Sequence, residues 1–172
     1  MLRAIALIPP LVIAALAPGA AAAAPRSTTF TVSGSEYAFT STVGAFAGRA
    51  VGNAADIGFW NATVKHDQLG RAGPIYVNGG SFEMTVRPPG GGIDAVAGTL
   101  THHGGTITTL KRGTNCTNQQ YRVAARLQDL LTPDSSRGSG SLKVTLTHYR
   151  LRVLGHCVAV KARVQGTVTF QY

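Results

Sequence analysis

The stretch HCVAVKARVQGTVTFQY, from His156 to Tyr172, decides the fold class. Val158, Val160, Ala162, Val164, Val168, Phe170 and Tyr172 fall on one parity, while Lys161, Arg163, Gln165, Thr167, Thr169 and Gln171 fall on the other. Successive side chains of an extended chain point to opposite faces, so a period of two sustained this long reads as a half-buried β-strand.

Working outward, Leu142, Val144 and Leu146 alternate with Lys143, Thr145 and Thr147, but the apolar parity has switched by Tyr149, Leu151 and Val153. A one-residue change of phase places a β-bulge near His148 and Tyr149, and Gly155 supplies the turn into the last strand. Tyr121, Val123, Ala125, Leu127 and Leu131 mark a strand before these, set off by the turn-rich TPDSSRGSGS. Further upstream, SFEMTVR points Phe82, Met84 and Val86 inward, and ADIGFWNATVKH is another strand. IDAVAGTLTHHGGTITTLKR reads as two strands joined at His102 to Gly105, and TTFTV and EYAFT bracket Gly34. No long stretch has the 3.6 period of a helix. The expectation is an all-β domain, a single antiparallel β-barrel or β-sandwich of about eight to ten short strands.

The chain opens MLRAIALIPPLVIAALAPGAAAAAP. A single Arg3, an apolar run and a tract of small residues have the form of a secretory signal over residues 1–23, leaving 24–172 as one secreted domain without a transmembrane anchor. Pro9, Pro10, Pro18 and Gly19 interrupt the run short of the ~20 apolar residues that a spanning helix needs. The expected location is therefore extracellular or cell-envelope, and the alanine-rich leader and arginine bias suggest a bacterial source. In an oxidising compartment the two cysteines, Cys116 and Cys157, have one pairing open to them. Closing that loop should stabilise the fold by roughly 3.5–4 kcal/mol on the chain-entropy model. In a three-strand meander the bridge requires either that the loop carrying Cys116 fold over one end of the sheet or that the strands face each other across a core.

The net charge of +9 is unevenly spread. Cations and anions balance between Ala24 and Leu110, and the excess begins at Lys111. Arg122, Arg126, Lys143, Lys161 and Arg163 occupy the polar parity of their strands and should share a sheet face with a positive potential above it. Their expected partner is an anionic polymer or lipid surface. Sequence-specific nucleic-acid reading is not expected, because no recognition motif is present and the face lacks regularly interleaved aromatics.

The remaining chemistry-bearing residues make weaker patterns. His102 and His103 adjoin in the expected hairpin and should face opposite ways unless the turn twists them together, and with no third ligand nearby the pair argues against a metal. His66 with Asp67 has the form of a general-base pair, but no nucleophile motif accompanies it, and a polar turn explains the pair equally well. Glu36, Asp56, Glu83 and Asp94 offer no carboxylate pair that can be placed for glycoside hydrolysis. No catalytic residue, metal or cofactor is therefore assigned. Phe59, Trp60 and Tyr149 are the aromatics that would line a cavity if a barrel enclosed a small apolar ligand, as a carrier or an isomerase- or cyclase-like protein does, with Trp60 sharing the core parity of Ala62 and Val64. The general look is similar to lipocalin-like and other small antiparallel barrels, but no residue motif of a named family is present and no functional residue is carried over.

Overall fold

The computed structural model describes residues 27–52, 56–69, 73–131 and 137–171. The expected leader over residues 1–23 and its expected cleavage point, Tyr172 and much of the loop holding Asp134 lie outside these residues. Eight antiparallel strands follow one another around a closed barrel: β1 (Ser27–Phe39), β2 (Val43–Gly52), β3 (Ile57–His66), β4 (Ile75–Arg87), β5 (Asp94–Lys111), β6 (Gln119–Leu131), β7 (Arg137–Val153) and β8 (His156–Gln171). β1 pairs with β8 from Ser27↔Gln171 to Ser35↔Arg163, and that ladder distinguishes a barrel from a sandwich. The strands, of 10 to 18 residues, are longer than the short ones expected. Among the described residues no helix is long and apolar enough to cross a membrane.

Alternation fills the interior. Trp60, Ala62 and Val64 are buried from β3, Phe82, Met84 and Val86 from β4, and Ala162, Val164, Val168 and Phe170 from β8. Toward the end where β1 begins, the core is a run of rings: Phe30 and Phe82 each lie 5.9 Å from Phe170, and Trp60 stacks on Phe82 at 6.2 Å. Glycines make room for them. Gly34 pairs with Gly48, and Gly48 with Trp60. A Cβ at Gly48 would collide with the Ser33 carbonyl, the acceptor of the Trp60 indole N–H at 3.2 Å. Small residues beside large ones are how a narrow barrel fills its taper.

Three local expectations change. The region His102–Gly105 is no hairpin: β5 runs through it as one strand, and the register with β6 jumps from Leu100↔Leu127 to Gly105↔Ala125. Four residues bulge out there, and His103 turns to φ 54°. In β6, Leu130 rather than Leu131 enters the core, because Asp129 takes φ 52° and inserts an extra residue before it. Asp is among the few residues that tolerate this region. Near Tyr149 a register shift is present, but the extra residue is Val160 of β8, where Tyr149↔Lys161 is followed by Arg150↔Ala159. Leu151, Val153, Val158 and Val160 are therefore exposed instead of returning to the core.

Candidate functional site: an outer cation stripe and an inner glutamate–histidine pair

The structure places Arg122, Arg126, Lys143, Lys161 and Arg163 on the exposed outer face of three consecutive strands. Register arranges them further. Along β7, Arg126 stands opposite Ser141, then comes Lys143 itself, then Arg122 opposite Thr145. Arg163 follows opposite Thr147, and Lys161 opposite Tyr149. Every two-residue step from 141 to 149 thus meets one cation, a step of about 7 Å in a stripe about 27 Å long. None of the five forms an ion pair with a described carboxylate. Arg126 and Lys143 also border a surface hollow of about 480 Å³ with His103, Thr106 and Ser141.

The bulge in β5 brings the rings of His102 and His103 together, stacked at 4.1 Å instead of facing opposite ways, with Tyr76 5.5 Å from His103. The left-handed turn at His103 breaks the alternation on which the opposite-face expectation rested. Among the described residues no third His, Cys, Asp or Glu joins them in a metal-binding group.

The opposite end of the barrel interior from the packed rings is hollow, with a cavity of about 40 Å³ lined by apolar side chains that include Phe46, Trp60, Ile107 and Val164. Of the three aromatics expected there, Phe59, Trp60 and Tyr149, Trp60 alone reaches it. Phe59 is 68% exposed on the outer face, and Tyr149, half-buried on the outward parity, is not part of the lining. Strand alternation separates Phe59 from Trp60, as it separates Tyr149 from His148.

His148 and Glu36, which the sequence did not single out together, meet in that cavity: His148 Nε2 lies 2.8 Å from Glu36 Oε2, and the Glu36 side chain is only 5% exposed. Ser35 pairs with Arg163, so Glu36 is the next residue along β1, level with Ala162. Ala162 faces His148 across the next ladder. A methyl group between them lets two longer side chains meet over it. Tyr121 packs edge-on against His148 at 5.7 Å, and the Phe39 ring lies 6.3 Å from it. Burial raises the Tyr121 pKa above its ordinary value, and the nearby Arg150 guanidinium opposes that rise. The signal for Glu36 and His148 was a polar residue on an apolar parity: Glu36 shares that of Phe30 and Val32, and His148 that of Leu142, Val144 and Leu146.

His66 also faces the cavity, and its Nδ1 lies 2.7 Å from the Asp67 backbone carbonyl. The Asp67 carboxylate instead accepts from the Tyr76 amide at 3.0 Å and the Asn78 side-chain amide at 2.9 Å. The two make a turn, not an imidazole–carboxylate pair. Glu83 faces outward and accepts from Asn61 at 3.2 Å.

Cys116 and Cys157 are bridged, with Cα atoms 5.1 Å apart. The loop between β5 and β6 folds over the barrel end in a short 3-10 turn, Thr114–Cys116, to reach the start of β8. Arg150 reinforces it, donating to the Gly113 carbonyl at 2.9 Å and the Cys157 carbonyl at 3.3 Å. Comparison with known proteins finds no matching family model, no matching curated protein and no matching solved structure.

Proposed function

We propose that the protein is a secreted, non-enzymatic binding module that holds an anionic partner of the extracellular space or cell envelope along its outer cation stripe. The observation that carries the reading is the register: five exposed cations, one per two-residue step, with no described carboxylate neutralising them. A row of fixed charges about 7 Å apart on a rigid sheet keeps its spacing without the side of the barrel having to reorganise. The disulfide fits export, since such bonds persist in oxidising compartments.

Retention on a dextran sulfate matrix tests this. The protein should bind at low ionic strength and elute as salt shortens the screening length from ~10 Å at 0.1 M to ~3 Å at 1 M. Changing Arg122, Arg126, Lys143, Lys161 and Arg163 to Gln should abolish retention with the far-ultraviolet spectrum unchanged, because all five side chains are exposed. Undiminished retention by that variant overturns the reading.

A second reading, a barrel for a small ligand, is favoured by one observation: the Glu36–His148 pair on the wall of a largely apolar cavity. A hydrogen-bonded acid and base inside an apolar chamber is a means of orienting a polar group or moving a proton. The cavity of about 40 Å³ is smaller than the ~300–1,000 Å³ of sites for drug-sized ligands, so such a ligand enters only if Phe39 and Leu69 at the rim move aside. A crystal soaked with a small phenol that leaves the cavity unchanged counts against it.

A further inference from the structure

We infer that the end of the β7–β8 hairpin is a wedge that enters an anionic phospholipid bilayer, with the cation stripe lying in the headgroup layer beside it; this rests on the stripe reading and names its partner. The hairpin outruns the barrel. β6 pairs with β7 only as far as Gln119↔His148, and β1 with β8 only as far as Ser35↔Arg163, whereas β7 and β8 stay paired to Val153↔His156. What projects is a two-stranded ribbon carrying large apolar side chains in water. Leu151 stands opposite Val158, Val153 follows, and Leu154 at the tip is 95% exposed. Single exposed apolar residues mean little, but a contiguous group on a protruding element marks an interaction surface.

These side chains lie on the same face as the stripe. Alternation along β7 puts Tyr149, Leu151 and Val153 outward, so the row that carries the cations up to Lys161 continues without a turn into apolar residues. On the opposite face the ribbon is tied to the loop between β5 and β6, through the bridge from Cys157 to Cys116 and the hydrogen bond from Arg150 to the Gly113 carbonyl. The second Arg150 bond, to the Cys157 carbonyl, links β7 to β8 within the ribbon. The wedge is therefore one-sided and held rigid. A bilayer with anionic headgroups offers what this face lacks, negative charge beside hydrocarbon, and Tyr149 stands at the boundary where aromatic side chains with a polar tip collect. A second copy fits worse, because a self-complementary contact would set one cation stripe against another. A hydrated polyanion would cover the stripe but leave Leu151, Val153 and Leu154 in water.

Flotation of the full chain, after any natural processing, with equimolar phosphatidylglycerol–phosphatidylcholine vesicles tests the inference, with dextran sulfate retention measured in parallel. The protein should float with these vesicles and not with phosphatidylcholine alone. Leu151→Ser combined with Leu154→Ser should weaken vesicle binding by about tenfold or more while leaving dextran sulfate retention intact. In Leu154→Trp, acyl chains brominated near the headgroup should quench the added indole fluorescence beyond that of the parent. If the serine variant floats as well as the parent, or the added indole is not quenched, the wedge is overturned and the stripe reading stands. If sedimentation instead shows the parent self-associating and the serine variant monomeric, without vesicle binding, the tip is a contact between copies and the inference fails. Loss of both vesicle and dextran sulfate binding in the parent overturns inference and reading together.

Discussion

Tyr121, buried with its ring edge-on to His148 at the hollow end of the barrel, ties the interior to alkaline pH. Burial disfavours its anion and raises its pKa, with Arg150 pulling the other way. A group whose folded pKa exceeds its unfolded value contributes its full stability below the unfolded pKa, here roughly 10, and loses it as pH rises through the folded one. Denaturant unfolding between pH 9 and 12 should therefore show stability falling more steeply in the parent than in Tyr121→Phe, the two curves diverging only above about pH 10. Parallel curves would mean that the phenol ionises as easily folded as unfolded. The neighbouring pair shows how far residues were legible. Parity alone places Glu36 and His148 inside, since each shares the apolar phase of its strand. That they meet depends on β8 lying between β1 and β7 and offering Ala162, and closure of that kind leaves no mark on local sequence.

The β7–β8 arm shows what is legible for an element and what is not. The turn at Gly155 and the strands flanking it follow from the residues, and a Cys116 loop folded over one end is one of the two arrangements the residues leave open for the bridge. The positive φ of Leu154 does not follow from a leucine. The sequence pattern does not distinguish a strand that continues into the core from one that leaves the barrel, because Val158 and Val160 keep the alternation of Ala162 and Val164 after their neighbours end. A two-stranded ribbon is marginal in water by itself, so the bridge and Arg150 must hold this one. Replacing both Cys116 and Cys157 by Ser should cost roughly 3.5–4 kcal/mol of unfolding free energy. It should also speed amide exchange at Leu151 and Val158 more than at Val164, whose strand is paired on both sides. Equal acceleration at all three would show that the bridge steadies the whole barrel and not the arm.

At the scale of the molecule, alternation and turn spacing are the same for a closed barrel and a two-sheet sandwich, so the all-β class was legible and closure was not. The charge imbalance could likewise be counted along the chain, but the even spacing of the stripe comes from register, which places β6 and β8 cations on either side of β7. Closure has a measurable consequence. An open sheet has two edge strands whose outward amides face water, whereas a barrel has none. Nine register pairs join β1 to β8, from Ser27↔Gln171 to Ser35↔Arg163, so these strands are as enclosed as β3 and β4. Native-state hydrogen exchange should accordingly place ladder amides around Val32 and Val164, both 1% exposed, in the same slowest class as those around Trp60 and Met84. If the β1 and β8 amides exchange through a smaller opening while β3 and β4 need global unfolding, the β1–β8 seam is open in solution. The stripe on β6 to β8 would then border a free sheet edge instead of lying on a continuous wall.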